Sequence, residues 1–154
     1  MKSFPGYLLL FIVLGFIQEL NAAQLFQRRI NQWKNNKYDG LWISWSDSSG
    51  KKIESKGHYK DGHERGVWRY FYEDGTPRKI ERYSKKGIST KYYYPNGKMK
   101  SKGKAIVDYE EDFLHYYYQG EWTYYNEDGK PEQVITYERG NEVDHRKAGK
   151  AKKQ

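Results

Sequence analysis

Through the middle of the chain, aromatic and polar residues alternate with the period of a β-strand. Trp68, Tyr70 and Tyr72 fall on one side of an extended segment and Phe71 on the other. Asp74-Gly75 and Asp128-Gly129 each stand between aromatic-rich and β-branched runs, which is the strongest short-range hairpin signal. Two weaker versions fill the gaps. Trp42 and Trp45 lead to Ser49-Gly50 and then Tyr59, and Tyr92, Tyr93 and Tyr94 lead to Asn96-Gly97 and Ala105. Lys60-Asp61-Gly62, Lys85-Lys86-Gly87 and Glu138-Arg139-Gly140 mark the reverse turns between hairpins, where Gly takes a left-handed conformation without a Cβ penalty. The pattern predicts an all-β fold: an open antiparallel meander of about four repeated hairpins in a single twisted layer.

The hairpins are copies of one unit. The segment from Gly66 to Tyr83 returns from Gly120 to Tyr137, with Gly, Trp, Glu-Asp-Gly, Pro and Tyr at identical offsets. The turn glycines at 50, 75, 97 and 129 give a period in the low twenties with one long step. Two departures stand out: Thr90 occupies the Trp position of the third unit, and an insertion around Val107 to Tyr118 lengthens the approach to the fourth.

Gly66-Val-Trp68, Tyr72-Glu-Asp-Gly75, Ser55-Lys-Gly57-His-Tyr59-Lys-Asp-Gly62 and Asn96-Gly-Lys-Met-Lys-Ser101-Lys-Gly103 carry a family resemblance. Over residues 40 to 140 the chain resembles the YwqK-type antitoxin proteins, built from the bacterial variant of the MORN repeat. The resemblance implies a MORN-like sheet and a role in neutralising a toxic protein. Its repeated residues are those that build hairpins, so it speaks more to architecture than to activity.

Ahead of the repeats, Lys2 precedes an apolar run from Tyr7 to Ile17, and Leu20, Ala22 and Ala23 follow. The run is too short to span a bilayer and suits the core of a secretory signal peptide. The expected division is a signal peptide over 1–22, a lead-in over 23–39, the repeat domain over 40–144 and a basic disordered tail over 145–154. The expected product is exported, periplasmic or extracellular. Without Cys it carries neither a lipid-acylated cysteine nor a disulfide.

Composition adds an aromatic core: sixteen Tyr and five Trp must supply most of the buried surface. The net charge of +8 hides a segregation. Residues 78–104 carry ten basic side chains against Glu81 alone, and residues 105–144 carry eleven acids against Lys130 and Arg139. Side-by-side hairpins then give one positive stretch of sheet and one negative. Such a dipolar surface suits a specific protein partner better than a uniform polyanion, so nucleic acid is not expected. The tail, lacking an apolar anchor, is expected to touch anionic membrane weakly and in a salt-dependent way. The free ends of an open meander offer edge-to-edge pairing into a homodimer.

Catalysis finds no support in the residues. No Cys nucleophile or Ser elbow exists, and Glu73-Asp74 and Glu127-Asp128 recur where Asp supplies turn chemistry. His58, Asp61 and His63 straddle a turn and lack a structural-zinc pattern, so neither metal nor cofactor is expected. The expected function is non-enzymatic: an exported antitoxin or immunity protein that occludes a toxic effector, with an envelope scaffold or lipid- or glycan-binding module as the alternative. Arg82, Lys98 and Lys100 of the basic hairpin, with Glu110, Asp112 and Phe113 of the insertion, are the expected partner contacts.

Overall fold

The computed structural model describes residues 29–109 and 114–149, which form one open sheet. Ten antiparallel strands follow each other in chain order: β1 (Gln32–Lys34), β2 (Lys37–Trp45), β3 (Ile53–Lys60), β4 (His63–Phe71), β5 (Pro77–Ser84), β6 (Gly87–Tyr93), β7 (Met99–Tyr109), β8 (Leu114–Tyr125), β9 (Pro131–Glu138) and β10 (Asn141–Lys147). The meander is the one the alternation predicts. The expected signal peptide lies outside the described residues.

Three turns show how the repeat closes its hairpins. Tyr72 N donates to Thr76 O at 2.9 Å, Tyr94 N to Lys98 O at 2.9 Å and Asn126 N to Lys130 O at 3.0 Å. Inside each, the glycine N–H returns to the first residue of the turn, with Gly75, Gly97 and Gly129 at φ of 85°, 79° and 84°. That region is open to Gly without strain. Asp74 Oδ1 accepts from Thr76 N at 2.8 Å, which is the turn role expected of this acid, and the Thr76 hydroxyl and amide hold its carboxyl below the ordinary range.

The sheet extends further at both ends than the sequence pattern suggests. β1 and the start of β2 lie in the expected lead-in. The Asn31 side chain clips that end by pairing with Ile43 as a strand would, Nδ2 donating to Ile43 O at 3.0 Å and Oδ1 accepting from Ile43 N at 2.8 Å. At the other end β10 runs on through His145, Arg146 and Lys147, which were expected in the disordered tail. Arg146 is held there by Glu121 at 2.7 Å and Asp144 at 3.3 Å. The insertion is mostly strand: β7 and β8 keep pairing from Lys104↔Gln119 out to Tyr109↔Leu114, making one long hairpin.

Register divides the side chains between two faces. One face carries the core, with Trp68, Ile88, Ala105, Trp122 and Ile135 buried among tyrosines. Each buried tryptophan lies on a glycine of the preceding strand. A Cβ on Gly57 would collide with the Trp68 ring, and one on Gly103 with the Trp122 ring. The indoles are fixed by matching bonds, Trp68 Nε1 to His58 O at 3.2 Å and Trp122 Nε1 to Lys104 O at 3.0 Å. Just before each tryptophan the ladder shifts by two residues, at Gly66 and Gly120, whose φ values are 65° and 74°. Phe71 points to the opposite face from Tyr70, as alternation predicts, and covers the Lys56 ammonium at 5.4 Å from its ring centroid.

Candidate protein-binding face

The face opposite the core is built by the residues that alternate with the tryptophans and tyrosines. Lys56 pairs with Arg69, Arg69 with Ile80, Ile80 with Lys91, and Lys91 with Lys102, so these five side chains form one row across β3 to β7. A parallel row runs Val67, Arg82, Ser89, Lys104. Neighbouring strands lie about 4.8 Å apart, so the cations are spaced closely enough to act as one field. Arg69, Arg82, Lys91, Lys102 and Lys104 are exposed and Lys56 is half-buried. Among the described residues none of the six forms an ion pair.

The same face changes sign at β8. Glu121 and Asp144 share a row through Thr136, and strand alternation adds Glu132 and Glu138. Arg146 engages both Glu121 and Asp144. The charge segregation of the linear sequence is thus concentrated on one side of the sheet, because β-strand alternation sends most of the tyrosines to the other side; Tyr117, opposite Ile106 and bonded to Asp108, stays on the charged side.

Of the expected contact residues, Arg82 sits in this field. Lys98 lies in the turn after β6, and its ammonium is 3.8 Å from Asp128 of the equivalent turn two strands on. Lys100 stands at the start of β7 with its ammonium 5.6 Å from the Tyr94 ring centroid. Glu110, Asp112 and Phe113 lie outside the described residues. Sequence reasoning passed over Lys56, Arg69, Lys91, Lys102 and Lys104. The i, i+2 spacing of Lys102 and Lys104 along β7 was a visible signal, but the Lys56–Arg69 pairing depends on a two-residue ladder shift between β3 and β4.

On the core face, where Thr90 replaces the tryptophan, a polar cluster fills the row Trp68↔Glu81↔Thr90. Glu81 is only 1% exposed. Lys79 Nζ stands 3.2 Å from its Oε2, Tyr116 donates to its Oε1 at 2.8 Å, and the Tyr83 hydroxyl lies at 3.4 Å. Burial first, and the Glu81 charge after it, push the Tyr83 phenol well above its ordinary range; the same two influences act upward on Tyr70. Tyr116 reaches this cluster from the lengthened hairpin. His58 and His63 take ladder positions opposite Arg65 and Lys60, and no cluster of three metal-ligating side chains forms among the described residues.

Three segments match the family model described as the MORN repeat variant, residues 64–85, 88–104 and 118–139. They coincide with the β4–β5, β6–β7 and β8–β9 hairpins, so the repeated unit is a MORN repeat variant. The β2–β3 hairpin repeats the same Gly-x-Trp entry at Gly40 and Trp42 without being part of a match. No curated protein and no solved structure matches the chain. Such repeats suggest a repeat protein involved in binding.

Proposed function

We propose that this is a non-enzymatic binding protein whose basic face docks onto the acidic surface of a protein partner. Following the resemblance to YwqK-type antitoxins, the partner is a toxic enzyme acting outside the cytoplasm, and the exported sheet keeps it inactive by occlusion. The observation that carries the reading is the ladder of Lys56, Arg69, Lys91 and Lys102, flanked by Arg82 and Lys104, without acid partners and beside an acidic belt on the same face.

A surface of this kind speeds association by steering and sets orientation by its change of sign. A uniform polyanion would be repelled over β8 to β10, whereas a protein surface can present both signs. The chain's own acids do not answer the ladder, since Glu121 and Asp144 are already held by Arg146. A second copy docked face to face would therefore leave most of the cations unmatched.

The test is capture from the envelope and secreted fractions of the source cells with the tagged protein, compared with cells lacking it. One stoichiometric enzyme that kills the deficient cells supports the reading. Recovery of lipid, glycan or a broad set of envelope proteins instead would sink it and favour the scaffold alternative.

A further inference from the structure

The face opposite the proposed docking surface carries a second feature, a cavity of about 520 Å³ at the turn end of β3 to β7. Its floor is a single cross-strand row: Ser55 beside Tyr70, Tyr70 beside Lys79, Lys79 beside Tyr92. Arg78 and Lys100 stand at its walls together with one carboxylate, Glu54, so with Lys79 the lining holds three cations against one acid. We propose that this cavity is a binding site for an acidic sugar, a pyranose bearing a carboxylate.

The argument begins with the other copy of the repeat. Lys79 and Glu81 correspond to Gln133 and Ile135, and Trp68 and Tyr70 to Trp122 and Tyr124, in hairpins of the same register. The second copy therefore builds the same fold with a neutral amide and an apolar side chain. Placing a carboxylate in the interior and pairing it with an ammonium seldom stabilises more than a well-packed apolar residue does. The pair is not required by the hairpin, and Lys79, its side chain 21% exposed, lines the cavity.

The lining is rich in donors. The Lys79 ammonium is shared between Glu81 Oε2 at 3.2 Å and the Tyr70 ring, whose centroid lies 4.0 Å away, and of its three N–H donors the carboxylate engages one edge. Tyr92 accepts from Tyr118 at 3.2 Å, so its own proton remains to be given. Among the described residues Arg78 and Lys100 form no ion pair, Lys100 lying 5.6 Å from the Tyr94 ring centroid, and the Ser55 hydroxyl lines the same cavity. A ligand with many acceptors and a negative charge answers such a lining. Tyr70 and Tyr92 flank Lys79 in the row, two strand spacings or about 10 Å apart, with the Lys79 ammonium lying over the Tyr70 ring. A single acidic side chain would occupy only the Lys79 corner. A pyranose places its C–H face on a ring, its carboxylate at the cation and its hydroxyls at Ser55 and Tyr92. The cavity lies within the ordinary size range of small-ligand sites.

The test is an amide-resolved NMR titration of the protein with glucuronate, with glucose, acetate and a glutamate peptide as controls. The double replacement Lys79→Gln, Glu81→Ile installs the pair that the second copy already tolerates, and Arg78→Ala removes a surface cation. The proposal expects saturable shifts along the Ser55–Tyr92 row with glucuronate, at least tenfold weaker binding of the three controls, and a similar loss in both variants. No saturation by about 10 mM would overturn it. Equal binding of glucose, acetate or the peptide would do so too, as would full affinity in Arg78→Ala. Partner capture uses the opposite face, so its failure would leave this site untouched.

Discussion

Trp122 lies on Gly103 with its indole N–H bonded to Lys104 O at 3.0 Å, and Trp68 repeats the arrangement on Gly57 and His58 O. The glycine is there because the ring needs its space. Gly103→Ala and Gly57→Ala should each destabilise the sheet by about 1–3 kcal/mol, since the ring must leave its site or the strands must part. Thermal unfolding checks this, with Gly75→Ala, a left-handed turn position with nothing nearby to strike, separating backbone strain from collision.

The buried charge at Glu81 gives a sign test. Lys79→Ala alone leaves a carboxylate at 1% exposure without its cation, and should cost about 3–5 kcal/mol. The double replacement by Gln and Ile, as at Gln133 and Ile135, should be neutral or stabilising. Denaturant unfolding of the two single variants and the double closes the cycle, and additivity would contradict the pairing.

Much of this was legible in the sequence. The Asp-Gly and Asn-Gly turns, the four hairpins and the single layer follow from alternation and turn chemistry, because those signals are local. The two faces were only half legible. Counting by twos puts Trp68 and Tyr70 together, but the shifts of two residues at Gly66 and Gly120 decide which strand neighbours meet, and nothing local marks their size. The Lys98–Asp128 pair was not legible, since Asp128 stands thirty residues away, in an equivalent turn. The strand runs on to Lys147 because Arg146 gains two acids once β8 and β10 are both in place.

Alkaline pH should unfold the protein through its tyrosines. Tyr70, Tyr83, Tyr92, Tyr116 and Tyr124 are all raised from the ordinary value of 10.0, burial being the leading cause in each. In the unfolded chain these phenols lose their protons near pH 10, whereas the folded sheet keeps them. The unfolded state then binds fewer protons, so stability is flat below about pH 10 and falls above it by about 1.4 kcal/mol per pH unit for each such group. Ultraviolet titration of phenolate should show late, cooperative ionisation coincident with unfolding. Ionisation of every tyrosine near pH 10 in the folded state would contradict the burial.

Charge reversal separates the ladder from the turn. Lys98→Glu touches a cation that already has Asp128 at 3.8 Å and lies outside the ladder, so it should change partner association only a few-fold. Lys91→Glu lies in the middle of the row and should change it more. Both positions are exposed, and neither replacement should shift the melting temperature appreciably.

The most direct measurement is the association rate of the captured partner with the protein and with its Arg69→Glu, Lys91→Glu, Lys102→Glu variant, taken across a range of salt. A basic docking face predicts a steep fall with salt in the parent and a rate lower by on the order of 100-fold in the variant, with an unchanged melting temperature. Equal rates with equal salt dependence would contradict it.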